Sequence, residues 1–140
     1  MKILGIDPGQ QTGLAIYQNG ELVNLVTVTP YEITDHIKNH NPDRVIFEDS
    51  RLTSPIFARG VSRLALLKIA RNVGMVDMMC SMIVDACERL GIPAHGISPK
   101  DKGVKLDAEA FNKHTHWQDK SNQHTRDAAM VAYKFRNASK

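Results

Sequence analysis

Asp7-Pro8-Gly9-Gln10-Gln11-Thr12-Gly13 follows the apolar run Ile3-Leu4-Gly5-Ile6 and precedes Leu14-Ala15-Ile16-Tyr17, so a carboxylate stands at the end of a strand against a glycine hairpin. Gly9 and Gly13 permit backbone approaches that a side chain would forbid, and Pro8 offers no amide to a sheet. Such a place suits a metal ion or a phosphate. A second carboxylate, Glu48, ends the short run Val45-Ile46-Phe47, which reads as a buried strand. Near the C-terminus, His124-Thr125-Arg126-Asp127-Ala128-Ala129 reads as the first turns of a helix with Ser121 or Asn122 as N-cap, and places His124 and Asp127 on one face. Three acids and an imidazole drawn from distant parts of the chain could converge on one or two divalent ions, which favour oxygen ligands and tolerate imidazole. Asp49 points to the opposite face if its strand continues, and stays outside this set.

The elements that would position these groups follow from patterning. Lys2 to Asp7, Leu14 to Gln18 and Leu22 to Thr29 form an antiparallel meander that turns at Asn19-Gly20. A short helix runs from Thr29-Pro30 to about Asn39, a strand from Arg44 to Phe47, and a long helix from about Val61 to Leu90. A strand at Ala94 to Ile97, a loop and the C-terminal helix complete the chain. This layout predicts an α/β, ribonuclease-H-like fold: a mixed five-stranded sheet with helices on its faces. At 140 residues the chain is read as one domain, 1–140, and leaves no room for the second phosphate loop and partner lobe of an ATPase that opens on a similar Asp-x-Gly turn.

The motifs occur in an order that resembles the RuvC-type Holliday junction resolvases, in particular the small phage-encoded members. Gly5-Ile6-Asp7-Pro8-Gly9 with Thr12-Gly13 comes first, then Val45-Ile46-Phe47-Glu48, then Ala70-Arg71-Asn72-Val73-Gly74. Gly91-Ile92-Pro93, Ser98-Pro99-Lys100 and His124-x-x-Asp127-Ala128-Ala129 follow. The resemblance implies a Mg²⁺-dependent endonuclease, with Mn²⁺ able to substitute, that holds two ions per active site and cuts four-way junctions symmetrically. Asp7, Glu48 and Asp127 take the family's metal-binding positions, and His124 stands where many members carry a fourth acid. Phe57 falls where the family places an aromatic wedge, and either stacks at an opened junction or is an ordinary buried phenylalanine. Lys100, Lys102 and Lys105 resemble the family's lysine-bearing loop, either as contacts to the scissile phosphate, with Lys100 and Lys102 as catalytic groups, or as surface lysines. A broader branched-DNA nuclease and a non-cleaving junction-binding protein are the alternatives.

The formal charge of +3 says little, but its distribution says more. From Arg51 to Val76 there is no acid, while Arg51, Arg59, Arg63, Lys68 and Arg71 all fall inside, a local excess suited to DNA phosphates or to a solvated helix face. Val73, Val76, Cys80, Ile83, Cys87 and Leu90 form one helical stripe expected on the sheet. Met75, Met79, Met82 and Ala86 form a second, expected to meet another subunit in a homodimer or to lie under the C-terminal helix. Cys80 and Cys87 stand about 10 Å apart along the helix axis, beyond disulfide reach. His114-x-His116 without nearby cysteines is a weak zinc signal and reads better as a structural or DNA-facing loop. With no run of about 18 apolar residues and no signal-peptide pattern, the chain is expected to be cytoplasmic, without a membrane or a small-molecule cofactor.

Overall fold

The computed structural model describes residues 1–53 and 60–138. Its strands are β1 (Lys2–Asp7), β2 (Thr12–Gln18), β3 (Glu21–Val28), β4 (Arg44–Glu48) and β5 (Ala94–Ile97). The helices are α1 (Ile33–His40), α2 (Arg63–Leu90), α3 (Ala108–Thr115) and α4 (Gln123–Tyr133). Short 3₁₀ turns occupy Pro30–Glu32, Ser50–Leu52 and Pro99–Asp101. All five strands form one mixed sheet in the order β3-β2-β1-β4-β5, antiparallel across the meander and parallel from β1 through β4 to β5. That is the α/β sheet the patterning predicts. The prediction missed α3, although Asp107 accepts a hydrogen bond from the Ala110 amide as its N-cap, a signal present in the sequence.

Strand alternation divides the core into two layers. Leu4, Ile6, Leu14, Ile16, Val45 and Phe47 pack on α1 and α2, against Ile33, Ile37, Cys80, Ile83 and Cys87. The intervening residues Ile3, Ala15, Tyr17 and Ile46 face α4 and meet Ala128, Ala129, Val131 and Ala132. The small residues of α4 let it approach closely. A Cβ at Gly5 would strike the Ala128 carbonyl, and one at Gly13 would strike the His124 carbonyl. The Tyr17 hydroxyl donates to the Ala129 carbonyl at 2.8 Å and fixes the helix along β2.

Two expectations for α2 need correction. Met79 and Ala86 are not part of an outer stripe: both are buried in the α1-facing core, because α1 lies across that side of the helix. Leu90 is exposed, since Gly91 (φ 68°) ends the helix in the left-handed region and turns the chain towards β5. Cys80 and Cys87 are buried free thiols. No helix among the described residues is long and apolar enough to cross a membrane.

Gly13→Ala is expected to cost at least about 2 kcal/mol, the upper range for forcing atoms into a packed contact, because its Cβ meets backbone at the start of α4 and not a yielding side-chain tip. Equilibrium urea unfolding would measure it, and a loss below about 0.5 kcal/mol would contradict the packing described.

Candidate active site

Backbone register alone puts the first two acids side by side. Ile6 pairs with Phe47 across the parallel β1–β4 ladder, so Asp7 and Glu48 are the next residues of adjacent strands. Both fall on the α4 side of the sheet by alternation. α4 supplies the third acid. Its first turn is held by a capping box: the Asn122 side chain accepts from the Thr125 amide at 3.0 Å, and Thr125 Oγ1 accepts from the Asn122 amide at 3.1 Å. Asn122 Nδ2 also donates to Thr27 Oγ1 at 2.8 Å, which ties the helix start to β3. Asp127, one turn on, is buried.

Lys102 closes the group. Its ammonium donates to Glu48 Oε2 at 2.7 Å and lies 3.8 Å from Asp127 Oδ2. Asp127 Oδ1 in turn accepts from Gln123 Nε2 at 2.7 Å, which leaves that carboxylate one preferred orientation. Asp7 is hydrogen-bonded to Glu48, and its carboxyl is pushed up to about 7: burial contributes most, and the charge of Glu48 comes next. Lys102 opposes the rise and Asp127 adds to it. Burial would lower the Lys102 ammonium, but the hydrogen bond and charge of Glu48, with the fields of Asp7 and Asp127, hold it above its ordinary value. Around one lysine, then, negative charge remains in excess. Clustered carboxylate oxygens fit a hard divalent cation. Among the described residues, no three His, Cys, Asp or Glu side chains already form a metal cage.

No family model and no curated sequence matches the chain. Among solved structures, T. thermophilus RuvC in complex with a Holliday junction substrate is similar to it, with a TM-score of 0.64 and 17% sequence identity over 95% of this chain and 90% of that one. The fold is RuvC-like.

Within this RuvC-like frame the remaining candidates separate. His124, half-buried, lines a cleft of about 440 Å³ with Asp7, Gly9, Gln10 and Asn72, on the α2 side of the acids. Arg71 and Lys68 line an adjoining groove of about 950 Å³ with Leu64 and Leu67, and Arg63 and Lys105 are exposed. Lys100 is exposed and makes no ion pair among the described residues, so of the two lysines expected at the acids only Lys102 is there. The 3₁₀ turn at Pro99–Asp101 separates their directions. Phe57 and Arg59 lie outside the described residues.

Arg51, expected as a DNA contact, is engaged within the protein, with its side chain 38% exposed. Its Nε and Nη2 each donate to Asp49 at 2.8 Å, and Nη1 donates to Ser81 at 3.2 Å. Asp49 is buried on the α2 side, where this guanidinium holds its carboxyl below the ordinary range through hydrogen bonds. Beside it, Ser50 Oγ donates to Asp77 at 2.6 Å. These contacts fasten the chain just after Glu48 to α2. Sequence reasoning passed over Asp49 and Asp77 as anchors and Gln123 as a positioning residue. Of these, Gln123, four residues before Asp127, and Asp49, two before Arg51, carried a local signal.

The raised Asp7 pKa has a definite sign. The folded protein retains a proton at Asp7 up to about pH 7, whereas the unfolded carboxyl releases it near 3.8, so stability from this group is lost as pH rises between those values. In EDTA, Asp7→Asn should gain stability relative to wild type by roughly 2–4 kcal/mol at pH 8 compared with pH 4. Parallel denaturation curves for the two proteins at both pH values measure the difference, and an unchanged gap would reject the burial of Asp7 among like charges.

Proposed function

We propose that this chain is a divalent-metal-dependent endonuclease of branched DNA, with the four-way junction as its preferred substrate. The observation that carries the reading is the meeting of Asp7, Glu48 and Asp127 around Lys102 at the ends of two adjacent parallel strands. The RuvC-like fold supports it, because the similar structure is that of RuvC with a Holliday junction substrate.

Asp7, Glu48, Asp127 and His124 would hold Mg²⁺ or Mn²⁺, which when bound lowers the pKa of a water and stabilises charge on phosphate oxygens. The protein's own groups do the rest. Gln123 fixes Asp127, and the anchors after β4 fix Glu48, so the donor oxygens are pre-set. Lys102 brings a fixed positive charge to where a phosphate must approach three acids. Arg71 and Lys68, in the groove adjoining the Asp7 cleft, give a phosphate backbone a cationic path to the site.

The same reading assigns a homodimer, since two opposed strands of a junction require two symmetric sites. Its surface is the exposed part of α2 at Met78 and Met82, which are 62% and 44% exposed at helical spacing; Met82 belongs to the stripe expected from the sequence, whereas Met79 and Ala86 of that stripe are buried.

With Mg²⁺, a labelled four-way junction should receive paired symmetric nicks while a matched linear duplex stays intact, and Asp7→Asn should slow cutting by at least about 100-fold without loss of junction binding. Equal cutting of flaps or duplex would make it a broader nuclease, and binding without cutting in any divalent ion would reject the nuclease reading. Met78→Glu with Met82→Glu should give a folded monomer by light scattering; a dimer mass would reject the stripe.

A further inference from the structure

The acids of the site are approached from two sides, and the sides differ. On the α2 side, Asp7 and His124 line an open cleft. On the β5 side, Lys102 lies beside Ile97, Ser98 and Met130, with its ammonium on Glu48 and near Asp127. The side chains of Lys102, Glu48 and Asp127 are only 17%, 17% and 10% exposed, so this ammonium meets carboxylate oxygens where solvent access is small. We propose that Lys102 serves as one of the two cations of this site, so that the carboxylates take up a single divalent ion, on the side of Asp7 and His124.

This rests on the metal-dependent reading above and departs from the two ions implied by resemblance. Charge balance supports it. Three ionised carboxylates are neutralised by one ammonium and one divalent ion together. Without DNA, a second divalent ion beside the resident lysine would leave two excess positive charges next to the little-exposed Glu48 and Asp127 carboxylates, at a cost that grows as the local dielectric falls. The backbone on either side of the lysine is fastened. The chain before it is fixed at the end of β5, where the Asp49 amide donates to the Ile97 carbonyl at 2.8 Å and the Asp101 amide to the Ser98 carbonyl at 2.9 Å. The chain after it is held where Arg126 Nε donates to the Leu106 carbonyl at 3.0 Å, with Arg126 itself anchored on Ser121 at 3.0 Å. Lys102 thus hangs between two fastened points, aimed at Glu48. Lys100 and Lys105, both exposed, do not replace it.

The test counts ions in the full chain without DNA. Mn²⁺ titration at pH 8, read from the paramagnetic resonance of the free ion and from calorimetry, should give one ion per wild-type chain and one for Lys102→Arg. Lys102→Met should bind two, the first at least tenfold more tightly than wild type binds its one. Lys102→Gln takes its place if the methionine variant does not fold. Two ions on the wild-type chain, or one on both uncharged variants, would overturn the assignment of Lys102 while leaving the nuclease reading standing. No bound Mn²⁺ on wild type or variants would overturn both.

Discussion

Three carboxylates of like charge cannot be placed within one another's field unless something holds them there, and much of this chain's polar architecture is spent on that task. Lys102 supplies the compensating charge, and Gln123 takes one oxygen of Asp127. The clamp of Arg51 on Asp49 and the bond from Ser50 to Asp77 fasten the chain immediately after Glu48. The place of Asp127 beside the two strand acids also requires α4 to lie hard against β1 and β2, where a Cβ at Gly5 or Gly13 would strike its backbone. The burial of Asp7 among like charges is a standing cost to the fold, in keeping with the tendency of perturbed carboxyls to gather where function needs them.

The acids could be found in the sequence because each is announced locally: two by apolar runs of β-formers that end in a carboxylate, one by a capped helix start. The alternation that puts Asp7 and Glu48 on the same face as α4 is likewise a property of sequence spacing. What could not be read was decided by partners far along the chain. Met78 and Met79 sit one step apart on α2, and only the packing of α1 makes one of them core and the other surface. Lys100 and Lys102 share a loop without periodicity, and a single 3₁₀ turn sends one to solvent and the other to the acids. Arg51 looked like a free cation in an acid-free stretch because its partner, Asp49, lies just before that stretch begins.

α2 joins regions that the sequence presents separately. One side of it buries Cys80, Ile83 and Cys87 against the sheet. Asp77 and Ser81 take hold of the segment that follows Glu48. Its outer side carries the exposed apolar stripe, and its N-terminal half carries Lys68 and Arg71 beside the Asp7 cleft. One rigid element therefore links the surface assigned to a second copy, the path assigned to DNA and the strand end that carries Glu48.

The pairing of Asp7 with Gly13 fixes a parity for β1 and β2. Removal or addition of a single residue within β2 would hand Leu14 and Ile16 to α4 and turn Ala15 and Tyr17 towards α2, exchanging a layer cut for small residues with one cut for large ones. A chain of this architecture can therefore change length at its turns over evolutionary time, while the strands that flank Asp7 can drift only in composition.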